Sequence, residues 1–336
     1  MRETSGTSQD AAENGFMIRT ENLTKVYKNG FKAVNGLNLQ VAEGDIFGFL
    51  GPNGAGKTTT IRMLDGLLVP SGGRAFLAGM DVCERPVEVK RLIGVVPESH
   101  GYYYSMTARE YLTYFSSLFD AKADNREYID FLLERVGLAE KANVTVGQFS
   151  RGMKQRLGIA KALVNKPRII FLDEPTLGLD PRGQYEIQQL LLEINRADRI
   201  TIFITSHLLK DIEVLCNKVC IVKNGTLAEQ GSIPELQRKY MAHYTMLLNT
   251  SYNQRAYPLL ERMDSVRRIA VCEDYRLEVK LVKGLSDEQI HQAKHDIINA
   301  LFSASIDIEE MTRKTLSMED IFFRATEREN ETEGKA

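Results

Sequence analysis

Gly51-Pro52-Asn53-Gly54-Ala55-Gly56-Lys57-Thr58-Thr59 follows the apolar run DIFGFLG and leads into TTTIRMLDGLL, which carries a helical pattern. The spacing G-x-x-x-x-G-K-[ST] between a strand and a helix has a direct chemical use. Its glycines let a tight turn wrap backbone N–H groups inward around phosphate oxygens, and the following helix adds the positive end of its dipole. Lys57 is then expected to reach the β- and γ-phosphates, and the Thr58 hydroxyl to ligate Mg²⁺. The ligand class this predicts is a nucleotide.

Two acids end a second apolar run, RIIFLDEP at 168–175. A carboxylate at the tip of a buried strand is costly unless it serves a cation, so Asp173 is expected to act on Mg²⁺ through a water. Glu174, one residue on, is the candidate general base that orients or deprotonates an attacking water. The bland alternative is an acid that caps the next helix, and the phosphate loop upstream favours the metal. A third run, TIFITSH, ends in His207. These polar tips fall at carboxyl ends of strands, where open α/β sheets bind ligands, so His207 is expected to contact the γ-phosphate.

Ser150-Arg151-Gly152-Met153 opens another helix. A hydroxyl, free amides and a helix dipole make a second anion site, although serine is also simply a good N-cap. One active site has no use for two phosphate-binding helix starts unless the second serves a different nucleotide. That points to a dimer in which each chain completes its partner's site. One further strand tip, GVVPESHGYYYSMT at 94–107, leaves a lone carboxylate, Glu98, ahead of three tyrosines.

Strands alternating with helices over the first two thirds of the chain predict a mostly parallel sheet covered by helices. Met17–Leu39 reads as strands, and the stretch from about Thr107 to Leu163 as helical. Beyond about Lys239 the pattern changes: YRLEVKLV alternates, SDEQIHQAKHDIINALFSA puts Ile290, Ala293, Ile297, Ala300 and Leu301 on one face, SIDIEEM reads as a strand, and SMEDIFFRAT as a closing helix capped by Ser317. The expected layout is a polar tail at 1–16, a nucleotide-binding domain at 17–240, a small α+β domain at 241–326 and a charged tail at 327–336. A net charge of -2 argues against nucleic-acid binding driven by bulk electrostatics. No run approaches the roughly 20 apolar residues that span a bilayer. The four cysteines form no disulfide framework, and Cys216-x-x-x-Cys220 without a second pair is a weak zinc pattern.

From about Met17 to Gln237 these motifs, in this order, resemble the ATP-binding-cassette (ABC) ATPases. The resemblance implies a P-loop NTPase with a RecA-like core, an antiparallel β subdomain and a helical subdomain at about 99–160, followed here by the small α+β domain. Residues 51–59 match the Walker A loop, FSRGMKQ the signature, IIFLDE the Walker B strand, LGLD the D-loop with Asp180, and His207 the switch histidine. Tyr27 falls where the family stacks an aromatic ring on adenine. Glu98 stands where the family usually has a Q-loop glutamine; it keeps an oxygen ligand for Mg²⁺ but loses the amide donor. Arg151 and Met153 depart from L-S-G-G-Q, while Ser150 and Gly152 remain. The family implies a head-to-tail homodimer sandwiching two ATP, with Ser150 and Gly152 of one chain on the nucleotide held by Lys57 of the other. It also implies ATP hydrolysis coupled to a separate membrane permease, at the cytoplasmic face of the cell membrane. Tyr102–Met106 reads either as the surface that touches that permease or as a solvated loop. The variant signature and the C-terminal domain are similar to the exporter-type multidrug, polysaccharide and antibiotic-resistance ATPases. A non-transport ABC ATPase acting on the ribosome or nucleic acid is the alternative; such proteins carry two cassettes or a long coiled coil, and this chain shows one cassette and no heptad run.

Overall fold

The computed structural model describes residues 15–99, 101–119, 125–241 and 243–327, so the tail positions 1–14 and 328–336 lie outside the described residues. The chain divides into two compact units, one up to Ile233 and a second over Pro234–Arg324.

The first unit holds two sheets. In one, β1 (Phe16–Val26) pairs antiparallel with β2 (Lys32–Leu37), β3 (Gln40–Ala42) and β5 (Gly72–Leu77), and β6 (Met80–Asp81) extends it beyond β5. The other is six-stranded: β11 (Thr226–Ser232), β10 (Lys218–Lys223), β4 (Ile46–Leu50), β9 (Thr201–Thr205), β8 (Ile169–Asp173) and β7 (Ile93–Val96), in that order. All neighbours run parallel except β11 against β10. The helices of this unit are α1 (Lys57–Leu64), α2 (Pro86–Leu92), α3 (Ala108–Ser117), α4 (Arg126–Arg135), α5 (Arg151–Leu163), α6 (Pro181–Asp198) and α7 (Leu209–Leu215).

The parallel strands are almost wholly apolar because both faces are covered. Phe47, Phe49, Phe171 and Phe203 are fully buried, and Phe203 packs against the other three with ring centroids 5.2–5.6 Å apart. This aromatic block spans β4, β9 and β8 and fixes the three strand ends that carry polar tips.

The helical stretch begins at a capping box. Thr107 Oγ1 accepts from the Glu110 amide at 3.2 Å, and Glu110 Oε2 accepts from the Thr107 amide at 2.8 Å. Two orphan amides at the start of α3 are thereby satisfied. Thr107→Ala is expected to lower the unfolding free energy by about 1 kcal/mol, read by urea titration.

The second unit is a four-stranded antiparallel sheet, β13 (Val266–Val271), β14 (Leu277–Leu281), β12 (Thr245–Thr250) and β15 (Ile308–Arg313), in that order. Helices α9 (Asn253–Glu261) and α10 (Asp287–Ser303) pack on it, and α8 (Ile233–Tyr240) and α11 (Met318–Glu327) lie at its ends in sequence. Ala293, Ile297 and Leu301 of α10 are buried as their spacing predicts, with Ile290 packed beside them. Ser317 caps α11, its Oγ accepting from the Asp320 amide at 3.1 Å. The strands β12 and β13 and the helix between them carry no clear signal in the sequence: Pro258 sits inside α9, and β13 buries only Ile269 fully.

Candidate active site

Parallel register brings the polar tips together. Phe49 and Asp173 both pair with Thr205, and Val96 pairs with Leu172, so β4, β9, β8 and β7 end side by side. The residues just past each strand are therefore gathered on one edge: Gly51 after β4, Ser206 and His207 after β9, Glu174 after β8, and Glu98 after β7.

The glycine-rich turn is tightly fitted. Gly56 caps α1 at φ +98°, and a Cβ there would stand 2.3 Å from the Ala33 carbonyl oxygen. At Gly51 a Cβ would stand 2.6 Å from the Val222 carbonyl oxygen. Lys57 Nζ donates to the carbonyls of Gly51 and Pro52 at 2.7 and 3.3 Å. Thr58 Oγ1 lies 3.4 Å from Asp173 Oδ2, and Thr205 Oγ1 donates to Asp173 Oδ1 at 2.6 Å. Sequence reasoning misses Thr205; its threonine tip on β9 is what aims the aspartate.

Glu174 adopts φ +52°, a left-handed backbone that is uncommon for a non-glycine residue. Its amide donates to the Thr205 carbonyl at 3.1 Å, and its Oε2 lies 2.7 Å from His207 Nδ1 and 3.2 Å from the His207 amide nitrogen. The Glu174 side chain is 12% exposed and that of His207 47%, so the imidazole stands against a mostly buried carboxylate from its solvent-exposed side. A cavity of about 490 Å³ is bounded by the turn with Lys57, Thr58 and Thr59 and by Glu98, Asp173, Glu174 and His207.

Tyr27 is not among the residues bounding that cavity; Phe31 is. Both belong to the loop joining β1 to β2, closed by the Tyr27 amide donating to the Phe31 carbonyl at 2.9 Å. The Tyr27 hydroxyl lies 3.2 Å from Thr59 Oγ1, and Lys25 Nζ stands over its ring at 5.9 Å. The Asn29-Gly30 pair, a strong hairpin signal, is the sequence feature that places Phe31 at this mouth.

Ser150 caps α5, its Oγ accepting from the Met153 amide at 3.2 Å, and Gly152 has open space where a Cβ would stand. None of Ser150, Arg151, Gly152 and Met153 borders the cavity at Lys57. Asp180 caps α6, accepting from the Gly183 amide at 3.1 Å. Between Glu174 and Asp180, the Thr176 hydroxyl donates to buried Asp211, which also accepts from Gln188 Nε2 at 3.0 Å.

The tyrosines after Glu98 divide. Tyr102 donates to the Lys154 carbonyl at 2.6 Å, and burial raises its hydroxyl pKa well above the ordinary range. Tyr111 in α3 is packed beside it, and burial, aided by Tyr103, pushes it to about 12. Tyr103 and Tyr104 remain 47% and 59% exposed. Tyr102 is therefore half-buried and tied to α5, while Tyr103 and Tyr104 are surface.

A second cavity, of about 390 Å³, lies on the other side of Asp173 and Glu98 and reaches Asp65 and Lys161. Burial raises Asp65 from 3.8 to about 6, against the pull of the Leu67 amide, Arg62 and Lys90. A carboxyl raised on folding contributes stability below its unfolded pKa, and that contribution is lost as pH rises through about 6. Asp65→Asn is expected to raise the unfolding free energy by about 2 kcal/mol at pH near 7.5 and to leave it unchanged at pH near 4, measured by urea titration at both.

Cys216 and Cys220 are free and fully buried, and burial raises both thiols far above the ordinary value. Among the described residues no group of three or more His, Cys, Asp or Glu side chains is placed to hold a metal, and no helix is long and apolar enough to cross a membrane.

A family model described as ABC transporter matches residues 34–177. Over 309 residues the chain is 38% identical to the bacitracin transport ATP-binding protein BcrA of Bacillus licheniformis, covering 92% of this chain and 96% of that one. It is 35% identical to the uncharacterized ABC transporter ATP-binding protein YxlF of Bacillus subtilis, over 92% of this chain and 99% of that one. Among solved structures, cbiO1 from Clostridium perfringens, part of the ABC transporter complex cbiONQ, matches with TM-score 0.60 and 28% identity, over 67% of this chain and 96% of that one. The dimeric ATP-binding cassette MJ0796 bound to ADP and Pi matches with TM-score 0.58 and 27% identity, over 64% of this chain and 98% of that one. The fold and the cavity thus define a P-loop ATPase of the cassette type. The chain belongs to the ATP-binding subunits of ABC transporters, which bind and hydrolyse ATP to drive transport.

Proposed function

We propose that this chain powers an exporter by hydrolysing Mg-ATP in a head-to-tail dimer docked on a separate membrane permease at the cytoplasmic face. The observation that carries the catalytic reading is the 2.7 Å contact between His207 Nδ1 and Glu174 Oε2 beside the glycine-rich turn. In this reading residues 51–59 cradle the phosphates and Lys57 leaves its loop carbonyls for the β- and γ-phosphates. Glu174 takes a proton from the attacking water, and His207 holds that carboxylate in place and touches the γ-phosphate. Phe31, which borders the cavity, offers the aromatic wall for the base, and Tyr27, bonded to Thr59, braces the loop that carries it. Phosphoryl transfer of this kind needs positioning and charge rather than a covalent intermediate.

The residues fit Mg²⁺. Thr58, Asp173 and Glu98, which all carry side-chain oxygen, border one cavity, and Mg²⁺ is usually held by one or two carboxylates plus substrate phosphates. Bound there, the ion would neutralise phosphate charge. Thr205 fixes the Asp173 carboxylate towards that donor set.

Ser150 and Gly152 are open and distant in role from this cavity, which supports their serving the nucleotide of a second copy, with Asp180 at the same junction. BcrA is named for bacitracin transport and matches nearly end to end, which supports export. Exposed Tyr103 and Tyr104 support a contact with the permease, since aromatic side chains are enriched at protein interfaces. The test is affinity capture from detergent-solubilised native membranes with a Glu174→Gln bait. Co-purification of a polytopic membrane protein is the expected result. Recovery of ribosomes or nucleic acid instead would leave the cassette and overturn the transport coupling.

A further inference from the structure

The loop from Glu174 to Asp180 is bonded at two points and covered at a third. Near its start, the Thr176 hydroxyl is bonded to buried Asp211. At its end, Asp180 caps α6. Between them, Gly178 has φ +68°, and the place a Cβ would take there is filled by Arg151: Nη1, Cζ and Nη2 stand 2.3, 2.4 and 2.6 Å from it. The guanidinium therefore lies across the bare face of Gly178. Arg151 is the first residue of α5, directly after the Ser150 cap. An arginine at this position thus has two structural consequences. It leaves Ser150 and Gly152 free, and it lays the exposed guanidinium at the start of α5 against the loop after Glu174.

We propose that Arg151 is a positioning residue that couples the two nucleotide sites through Gly178. The inference rests on the sandwich reading above, in which Ser150 and Gly152 face the partner's nucleotide while Glu174 serves the chain's own. A nucleotide arriving at the start of α5 moves or steadies Arg151. The guanidinium passes that change to Gly178, four residues from the base. A planar, delocalised group suits this role because it can slide over a glycine face without losing contact, which a lysine ammonium cannot match. A methyl group at Gly178 would take the guanidinium's place and swing it away, which costs the contact itself beyond the strain of a side chain at positive φ.

Two measurements on the full-length chain test this. The first needs no turnover. Hydrogen exchange of the amides at 176–180 is expected to speed up about tenfold in Arg151→Ala, with Arg151→Lys between it and the parent, because the guanidinium that covers the loop is lost. Unchanged exchange overturns the proposal even if the chain proves inactive, so its failure is separable from failure of the sandwich reading. The second is a double-mutant cycle on ATP hydrolysis. Arg151→Ala should lower kcat about tenfold with KM for ATP little changed, and should flatten the dependence of rate on ATP concentration. Gly178→Ala should be worse, and adding Arg151→Ala to it should change the rate less than about twofold further, since the methyl has already displaced the guanidinium. Effects that simply multiply would mean that the two residues act independently and would overturn the coupling.

Discussion

Glu174→Gln is expected to lower kcat for ATP hydrolysis by about two to three orders of magnitude while leaving ATP affinity within about threefold. Glutamine keeps the length of the side chain and offers its carbonyl oxygen to His207, so the 2.7 Å contact with Nδ1 and the unusual backbone at φ +52° can both persist. What is lost is the basic oxygen that receives a proton from water. A loss confined to kcat marks an interaction made in the transition state rather than in binding. Single-turnover hydrolysis, set against equilibrium binding of ATP to the same preparation, reads both quantities. A kcat within about threefold of the parent would remove Glu174 from the role of base. His207→Ala offers the complementary check: it should lower kcat and increase exposure of the carboxylate without abolishing nucleotide binding.

The second large effect is expected at the turn. Gly56→Ala places a methyl 2.3 Å from a backbone carbonyl, at φ +98°, where no rotamer can relieve the contact. The turn or the β2 strand has to move, and the amides that cradle phosphate move with it. ATP affinity should fall by about a hundredfold, or about 3 kcal/mol. Gly54→Ala is the control. It has a similar φ of +81° but open space around the new methyl, so only the left-handed backbone penalty of about 1–2 kcal/mol applies. Titration calorimetry with ATP should therefore rank Gly56→Ala well below Gly54→Ala. Equal losses would show that backbone conformation alone, and not the approach of Ala33, sets the shape of the cradle.

The difference between those two glycines illustrates what can be read from the chain and what cannot. The motif requires glycine at 51 and 56, because phosphate-binding turns need bare backbone, but the neighbours that enforce it, Val222 and Ala33, come from distant strands. Likewise the α10 face is legible at 3.6-residue spacing, whereas β13 is not, because an edge strand with one fully buried side chain leaves little alternation to detect. Tyr27 is the aromatic that the family pattern singles out, and Phe31, four residues on, is the ring that borders the cavity. A hairpin loop reverses the chain within those four residues, and its exact path is a property of turn geometry rather than of residue type.

The sequence by itself determined the reaction class and the P-loop fold. Phosphate chemistry demands a glycine turn, a lysine and a hydroxyl at fixed spacing, and a carboxylate at the end of a buried strand has few uses other than a cation. Only the tertiary structure decided how those pieces meet. Parallel register across β4, β9, β8 and β7 aligns tips that are up to 156 residues apart in the chain, from Gly51 to His207, and sets Thr205 beside Asp173 and His207 against Glu174. It also laid Arg151 over Gly178, a contact no motif contains. Such contacts depend on which strands pair and in what register, and that is fixed by burial of the whole phenylalanine-rich sheet rather than by any local stretch of residues.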